Sequence, residues 1–431
     1  MPQVSPVMEA IQQTPVIDTH EHIRPLAELR QGPWDFIELC KATYVAADFA
    51  AVGMTAADWP APDLEAKQRW AAFEPWMRRL ENTAYYRSLL LGCRKLYGLP
   101  EEDEVNADNC LPLAEQMQQA RQRDDLFDYA LGQVGHIRCA LQDPHWTPFD
   151  TETGSQVLTP VLRINSFVMA PFAGQADHND ISPYDCARKL NLEIGDFDSY
   201  LELIGTAIEH YQAAGAPALK SSLAYDRALD FAEVGEQDAR RLYERGPDQL
   251  DAAETKALQD FLMHAIVDLA AAHDLPIQVH TGIRAASGDI RGTNPILLTD
   301  LVLAHPQAKF DLFHGGYPYC SELAIMAKAL ANVWLDMCWL PIISPSVVRR
   351  MLQEWIEAVP MSKIMWGGDC SRVEAALGAL EMAQDIIARV LMAKVHEADY
   401  FTPEVAVRAA KRIMHDNAAE LFLGQASDVP V

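Results

Sequence analysis

Two histidines lie two residues apart in the segment DTHEH, close to the start of the chain. Because side chains alternate across an extended strand, His20 and His22 point to the same side of it. Two imidazoles on one side of a strand can bind a single metal ion. Short patterns of this kind also arise by chance on protein surfaces, so the rest of the chain has to decide between the two interpretations.

Three more polar residues end apolar, strand-like runs further along the chain. His280 ends PIQVH, His314 ends KFDLFH and Asp369 ends KIMWGGD. Each alone is explained as well by a hydrogen-bonded core histidine or a strand-capping aspartate. Their recurrence at the ends of several strands instead indicates that they share one site. Histidines together with one carboxylate are ligands that suit Zn²⁺ or another borderline divalent ion.

The residue types predict which chemistry each group performs. We expect one metal ion, bound by His20, His22, His280 and Asp369 and leaving an open position for water or substrate. Asp369 also serves as general base, and His314 serves as an acid–base group or electrophile that faces the substrate.

The acidic residues beside the two N-terminal histidines are expected to differ in role. Asp18 is predicted to hydrogen-bond a ring nitrogen of a metal-bound histidine, which fixes the tautomer of that ring. Glu21 should point to the opposite face of the strand, so the prediction leaves it out of the site.

The elements that must position these residues follow from an alternation of apolar, β-type runs with helical stretches. Such an alternation predicts an α/β fold, and eight runs are the number that a (β/α)8 TIM barrel needs. In that fold, catalytic groups lie at the C-terminal ends of several strands. The predicted strands lie within residues 14–23, 136–141, 157–168, 216–222, 276–280, 309–314, 332–338 and 363–369.

Two stretches, residues 24–130 and 225–250, exceed a minimal barrel. The first is rich in tryptophan and in helical patterns and follows the first strand. It therefore leaves from the rim where barrel active sites are built, and we predict a mostly helical insertion that acts as a lid or an oligomer contact. Residues 1–431 as a whole are predicted to form a single catalytic barrel domain.

The order of these residues resembles that of the amidohydrolase superfamily, in particular its branch of nodulin-like and FluG-like amidohydrolases, which is related to uronate isomerases. The segments ALKSSLAYDR, PIQVHTG, LFHGGYPY and GGDCSR occur in the order found in that family, so the resemblance covers nearly the whole chain. It implies a metal-dependent hydrolase on a (β/α)8 barrel. By that resemblance, the metal ligands are His20, His22, His280 and Asp369.

Two positions depart from the family pattern or leave a choice open. Lys220 matches the place of a lysine that is carboxylated in binuclear members, although a lysine there binds substrate in mononuclear relatives, and we favour that role. A second metal ion is expected only if Lys220 is carboxylated.

Arg372 resembles the Asp-x-Arg arginine of uronate isomerases, but its spacing from Asp369 differs by one residue, which weakens the isomerase interpretation. An arginine there still suits bidentate capture of a carboxylate, and a solvated helix residue is the alternative.

Further candidates at the same rim are Arg24, Arg163, Arg284 and Tyr317. Of these, Arg24 and Tyr317 are predicted to contact an anionic substrate. Arg163 is explained equally well by an ion pair inside the barrel.

These residues predict a hydrolase in which metal-activated water attacks an amide, ester or lactone carbonyl of a small, carboxylated substrate. The alternative is a non-hydrolytic member, either an isomerase that resembles uronate isomerase or a decarboxylase of a small organic acid. A non-catalytic descendant would have broken ligand positions, whereas they are intact here.

The composition of the chain limits which partners it can bind and in which cellular compartment we expect it. The 431 residues include 35 Lys and Arg against 61 Asp and Glu, and the resulting net charge of −26 argues against a nucleic-acid partner. No signal-peptide pattern and no apolar run long enough for a membrane span are apparent. The eight cysteines are scattered without a C-x-x-C pair, so we expect reduced, buried thiols in a cytoplasmic enzyme. A homo-oligomer is left open, because symmetric assemblies are common.

Overall fold

The computed structural model describes residues 5–31, 34–101, 104–285, 287–396 and 400–425. Short strands alternate with helices along most of this length. The strands are Val16–Glu21 (β1), Ile137–Gln142 (β2), Leu158–Pro160 (β3), Leu162–Arg163 (β4), Leu219–Ser221 (β5), Ile277–Val279 (β6), Phe310–Leu312 (β7), Val333–Asp336 (β8) and Ile364–Met365 (β9).

All pairings between these strands are parallel, in the orders β1-β2-β3 and β4-β5-β6-β7-β8-β9. Only Val161 separates β3 from β4, and its N–H donates to the Gln142 carbonyl at 2.9 Å. The two short strands are therefore one barrel strand with an interruption. The fold class is the predicted α/β barrel with eight strands.

The first and last strands lie side by side, as a barrel requires. Three backbone hydrogen bonds cross this seam: from Thr19 N–H to the Trp366 carbonyl (3.3 Å), from Asp369 N–H to the His20 carbonyl (2.7 Å) and from His22 N–H to the Cys370 carbonyl (2.8 Å). The loop after β9 is thus attached directly to β1, the strand that carries the paired histidines.

Each of the eight predicted runs coincides with a barrel strand. Seven strands lie within their runs and are shorter, while β2 is as long as the predicted run 136–141 and ends one residue beyond it. In residues 157–168 the strand ends at Arg163, and Asn165–Met169 is a helix. Both parts are buried, and a short apolar run cannot distinguish a buried strand from a buried helical turn by periodicity.

Nineteen α-helices accompany the strands among the described residues. They are Pro6–Gln13 (α1), Leu26–Leu29 (α2), Phe36–Lys41 (α3), Val45–Ala51 (α4), Ala66–Met77 (α5), Ala84–Tyr97 (α6), Cys110–Arg121 (α7), Asn165–Met169 (α8), Pro183–Leu190 (α9), Phe197–Ala213 (α10), Glu236–Arg245 (α11), Ala252–Ala272 (α12), Thr299–Ala304 (α13), Cys320–Ala329 (α14), Leu340–Ile343 (α15), Pro345–Ala358 (α16), Val373–His396 (α17), Pro403–Lys411 (α18) and Asn417–Leu423 (α19). π-Helical segments span Asp128–Val134 and Arg412–Asp416.

Helices α2 to α7 lie between β1 and β2, and α6 packs against α17, the helix that follows the β9 loop. Two glycines allow very close contact. A Cβ added to Gly92 of α6 would lie 1.7 Å from the Glu374 carbonyl oxygen, and one added to Gly378 of α17 would lie 1.8 Å from the Ser88 carbonyl oxygen. Arg121 at the end of α7 also pairs with the Glu374 carboxylate at 3.1 Å, with both side chains buried. These contacts attach the helices after β1 to the barrel near the β9 loop.

The structure also bears on the expected state of the cysteines and on the expected absence of a membrane span. All eight cysteines are free thiols, and seven are buried. None of the helices in the described ranges combines the length and the apolar character needed to cross a bilayer.

Candidate metal centre

The predicted site residues lie at the C-terminal ends of the strands. His20 is in β1 and His22 follows it by one residue, while His280 comes directly after β6. His314 follows β7 by two residues and Asp369 follows β9 by four. Both of these last residues have positive φ angles, 63° and 57°, a conformation that side chains other than glycine rarely adopt. Such backbone strain persists where the surrounding structure holds it, and it is concentrated at functional sites.

His20 is fully buried, and among the described residues neither of its ring nitrogens has a hydrogen-bond partner. Its ring lies edge-on to that of His22, with centroids 4.7 Å apart. Burial, together with the charge of nearby Lys220, lowers the pKa of His20 well below its ordinary value, so the ring is neutral. A buried neutral imidazole without hydrogen bonds is costly unless a ligand occupies its lone pair.

His22 faces Asp369 with a bare nitrogen. The backbone carbonyl of Asp143 lies 2.9 Å from His22 Nδ1, so Nδ1 carries the hydrogen and Nε2 is the acceptor. That Nε2 lies 3.2 Å from Asp369 Oδ1. Burial lowers the pKa of His22 to about 4 and raises that of Asp369 to about 7. Two acceptors that face each other require a cation or a shared proton between them.

His280 and His314 likewise have two acceptor nitrogens that face each other. His280 Nε2 lies 2.8 Å from the Ile283 carbonyl, and His314 Nδ1 lies 3.0 Å from the Cys338 carbonyl. Since carbonyls only accept, both of these nitrogens must carry hydrogen. The remaining nitrogens, His280 Nδ1 and His314 Nε2, are then bare in neutral rings, although they lie 2.9 Å apart. This pair of nitrogens, like His22 Nε2 and Asp369 Oδ1, requires a cation or a shared proton between them.

These unpaired acceptors are the observation that tests whether the residues fit a divalent cation. Histidine nitrogens and one carboxylate oxygen form a donor set that suits such an ion, and their neutral, deprotonated states are the ones that bind it. Ligand atoms of His20, His22 and Asp143 lie within 4.8 Å of one another, as do those of His314, Cys338 and Asp369. The residues present therefore fit a metal ion.

Asp143 and Cys338 have other roles. Asp143 is fully buried, and Arg163 contacts both of its oxygens at 2.7–3.1 Å. Although burial opposes it, the charges of Arg163 and His22 hold the pKa of Asp143 below its ordinary value. Its carboxylate is thus already neutralised, which is the ion-pair alternative considered for Arg163. Burial raises the pKa of the Cys338 thiol, so this group is a neutral thiol in the metal-free protein.

Asp18 makes a different contact from the one predicted, whereas Glu21 lies on the opposite face of β1 from the histidines, as predicted. Asp18 accepts the backbone N–H of His20 at 3.1 Å and does not hydrogen-bond an imidazole. Glu21 points away from the histidines but is fully buried, because every residue of β1 is buried on whichever face it lies. Its Oε2 accepts the N–H of Cys370 at 2.6 Å, so Glu21 contacts the loop that carries Asp369.

Lys220 lies on β5 and is only 1% exposed. Its ammonium group lies 3.7 Å from the centroid of the Phe313 ring. Burial lowers the pKa of Lys220 to about 8, while the charge of Asp369 acts in the opposite direction. The lysine thus supplies positive charge inside the cluster of His20, His314 and Asp369.

Two of the rim arginines share one carboxylate. Arg24 lies 3.3 Å from Glu28, and its guanidinium stacks 4.6 Å from the centroid of the Trp146 ring. Trp146 in turn lies 5.9 Å from the His22 ring. Arg372 lies 3.8 Å from the other oxygen of Glu28, and burial lowers its pKa to about 10. Arg372 is buried, which differs from the solvated helix residue considered as its alternative.

The two other rim candidates make backbone contacts. The carbonyl of Tyr317 accepts the N–H of Ile283 at 2.7 Å, which links the loops after β6 and β7. Arg284 donates to the carbonyls of Ala224 (3.2 Å) and Asp289. Tyr317 is partly exposed, so its ring remains accessible at the rim.

Several aromatic residues lie near His22 and His314 but were not predicted from the sequence as part of the site. His145 lies edge-on to His22 at 5.0 Å, and its Nδ1 is buried without a partner in the described part of the chain. The available signal was its position in DPHW, directly after β2. Tyr44, from the helical stretch after β1, packs on Trp339 with ring centroids 4.8 Å apart, and the Trp339 ring lies 5.3 Å from that of His314. No local pattern brings Tyr44 to this place.

The sequence was compared with protein-family models and with known proteins, and both comparisons point to amidohydrolase-like proteins. The family model described as Amidohydrolase matches residues 223–423. The fluG protein of Emericella nidulans is 28% identical over 238 residues, which cover 52% of this chain and 27% of that protein. The chain thus spans only about a quarter of that relative's length.

Two solved structures share the fold over nearly the whole chain. The uronate isomerase of Thermotoga maritima superposes with a TM-score of 0.76 at 16% identity, covering 96% of both chains. The glucuronate isomerase of Caulobacter crescentus gives a TM-score of 0.78 at 15% identity, covering 98% of this chain and 94% of the other. At this level of identity the likeness concerns the fold alone, because one barrel fold supports many reactions.

Proposed function

Since the chain is a member of the amidohydrolase superfamily, we propose that it is a metal-dependent hydrolase acting on an amide, ester or lactone bond of a small, carboxylated molecule. The observation that carries the proposal is twofold: the buried ring nitrogens of His20 have no hydrogen-bond partner among the described residues, and two acceptors, His22 Nε2 and Asp369 Oδ1, face each other at 3.2 Å. They occupy the rim at which barrel enzymes place their chemistry.

His20, His22 and Asp369 would hold the ion, with His280 as the further ligand that the family resemblance implies. Zn²⁺ is the foremost candidate, because it prefers histidine nitrogen and carboxylate oxygen. A second ion would require a carboxylated Lys220. When bound, the ion supplies Lewis acidity toward a carbonyl oxygen and toward water.

The protein groups then handle the proton and the substrate. Asp369, whose other oxygen lies 3.9 Å from His314 Nδ1, takes the proton from the attacking water. Lys220 provides positive charge toward the oxygen on which charge develops, and the bare Nε2 of His314 can accept a proton as the acid–base group. Arg24, Arg372 and Tyr317 bind the carboxylate of the substrate from the rim, where the arginines already attract Glu28.

The helices between β1 and β2 would act as a lid over this centre. Their Tyr44 and Tyr85 stack on each other, with centroids 5.4 Å apart, and Tyr44 also packs on Trp339 beside His314. An aromatic cover of this kind excludes water from the reacting groups. The free thiols suit a reducing compartment, so we place the enzyme in the cytoplasm.

A second candidate is the isomerisation of a uronic acid. Two observations favour it: the fold shared with uronate and glucuronate isomerases, and the nearly buried Arg372 three residues after Asp369. The same base would then move a proton between substrate carbons.

A substrate panel separates the two reactions. Zn²⁺-loaded protein is assayed against carboxylated lactones, N-acyl amino acids, uronic acids and carboxylated aromatics, with product identified by mass spectrometry. We expect addition of water to at least one lactone, ester or amide, and no such product from metal-free protein. Turnover of uronic acids alone would replace the hydrolase by the isomerase, and carbon dioxide release alone would indicate a decarboxylase.

A further inference from the structure

We propose that Glu21 is a positioning residue that holds the loop carrying Asp369 in its metal-binding conformation. The inference rests on the proposed role of Asp369 as a metal ligand. Glu21 lies between the two predicted histidine ligands in sequence, yet its side chain points to the opposite face of β1, where it contacts the loop after β9.

Three consecutive N–H groups of that loop donate to β1. Gly368 donates to Asp18 Oδ1 at 2.9 Å, Asp369 donates to the His20 carbonyl at 2.7 Å, and Cys370 donates to Glu21 Oε2 at 2.6 Å. The contact of Glu21 is the shortest of the three. It fixes the peptide plane on the C-terminal side of Asp369. The His20 carbonyl fixes the plane on the N-terminal side, and Asp18 fixes the plane before that one.

This attachment matters because the backbone of Asp369 is strained. Its φ of 57° lies in the left-handed region, which is unfavourable for an L-residue. Without acceptors on both sides the loop would relax to an ordinary conformation and turn the Asp369 carboxylate away from His22. The carboxylate oxygen and His22 Nε2 are 3.2 Å apart in the attached conformation.

The glycines before Asp369 leave room for these carboxylates. A Cβ on Gly368 would lie 2.1 Å from Glu21 Oε1 and 3.2 Å from Asp18 Oδ2, so both acids lie directly against this residue. Glu21 Oε1 is buried beside the Asp18 carboxyl, with which Glu21 shares a side-chain hydrogen bond. Two buried carboxyls side by side are costly to stability, and the role that we assign to this costly arrangement is the attachment of the Asp369 loop.

The test compares Glu21→Met, which removes the acceptor at similar size, with Glu21→Gln, which keeps an oxygen for the Cys370 N–H. Asp128→Leu is the matched control: Asp128 Oδ1 accepts the N–H of Gln156 at 2.9 Å, just before the opposite, N-terminal end of a strand. Two quantities are measured: the Zn²⁺ dissociation constant, by competition with a chromophoric chelator, and amide hydrogen exchange of peptides covering residues 366–372 in metal-free protein.

We expect Glu21→Met to weaken Zn²⁺ binding about 10–100-fold, the usual effect of losing a group that orients a ligand, and to speed exchange in residues 366–372. Glu21→Gln should stay within about threefold of wild type, as should Asp128→Leu. Wild-type Zn²⁺ affinity and unchanged exchange in Glu21→Met would overturn the proposal, and so would an equal loss in Asp128→Leu.

Two further variants keep the result decisive. If Glu21→Met fails to fold, Gly368→Ala displaces Glu21 Oε1 by the added Cβ and should give the same loss of Zn²⁺ affinity. Wild-type affinity in folded Gly368→Ala would then overturn the proposal. If Asp369→Asn binds Zn²⁺ as tightly as wild type, the ligand set of the proposed function is wrong, while hydrogen exchange still decides whether Glu21 holds the loop.

Discussion

Replacement of Asp369 with asparagine is expected to lower kcat/KM by about 10³–10⁴-fold, the upper range for loss of a general base combined with a weakened metal ligand. The carboxylate lies 3.2 Å from His22 Nε2 and 3.9 Å from His314 Nδ1. An amide of the same shape carries no charge and cannot take a proton. The measurement is steady-state turnover of the substrate found in the panel, at saturating Zn²⁺.

Stability measurements separate this loss from unfolding. Burial raises the pKa of Asp369 from 3.8 to about 7 in the metal-free protein. A raised folded-state pKa means that the stabilisation by the neutral acid is lost as pH rises through about 7. Above that pH, metal-free Asp369→Asn should therefore be at least as stable as wild type. Asp260→Asn, which changes a buried carboxylate of α12, should retain activity, and turnover by Asp369→Asn within tenfold of wild type would contradict the assigned role.

The second large effect concerns the contact between α6 and α17. Gly378→Ala is expected to lower the free energy of unfolding by about 3 kcal/mol, at the upper end for overpacking. The added Cβ would lie 1.8 Å from the Ser88 carbonyl oxygen, a backbone atom that cannot rotate away. The helices would have to separate, which also disturbs the buried pair of Arg121 and Glu374. Denaturant unfolding followed by circular dichroism measures the change.

A matched glycine provides the control. Gly205 also lies inside a helix, α10, but a Cβ added there meets no atom within 4 Å. Gly205→Ala should therefore stabilise the protein by about 0.5–1 kcal/mol, because alanine has the higher helix propensity. If Gly378→Ala were as stable as Gly205→Ala, the close approach of α6 and α17 would be wrong.

The strand order and the residues at the strand ends could be predicted because both depend on local patterns. Apolar β-type runs mark the barrel strands, and a polar residue such as His280 or Asp369 after a run marks the rim. The contact of Glu21 with the loop after β9 could not be predicted, because alternation assigns a residue to one face of a strand but does not specify what covers that face. Strand β1 is buried on both faces, so Glu21 remains inside the protein.

Contacts between distant segments account for the rest. Asp143 and His145 approach His22 from the loop after β2, and nothing in their local sequence specifies that contact. The pairing of Gly92 with residue 374, and of Gly378 with Ser88, joins positions almost three hundred residues apart. The ring tautomers depend on which backbone carbonyls the fold brings near each nitrogen, such as that of Cys338 beside His314.

Metal content is the property that decides most directly whether β1 carries a metal centre. Purified wild-type protein and the His20→Ala, His22→Ala double variant are dialysed and compared by elemental analysis, with circular dichroism to show that both are folded. We expect wild type to retain stoichiometric divalent metal, with Zn²⁺ foremost, and the double variant to lose both metal and activity. A double variant that keeps stoichiometric metal and full activity would contradict the assignment.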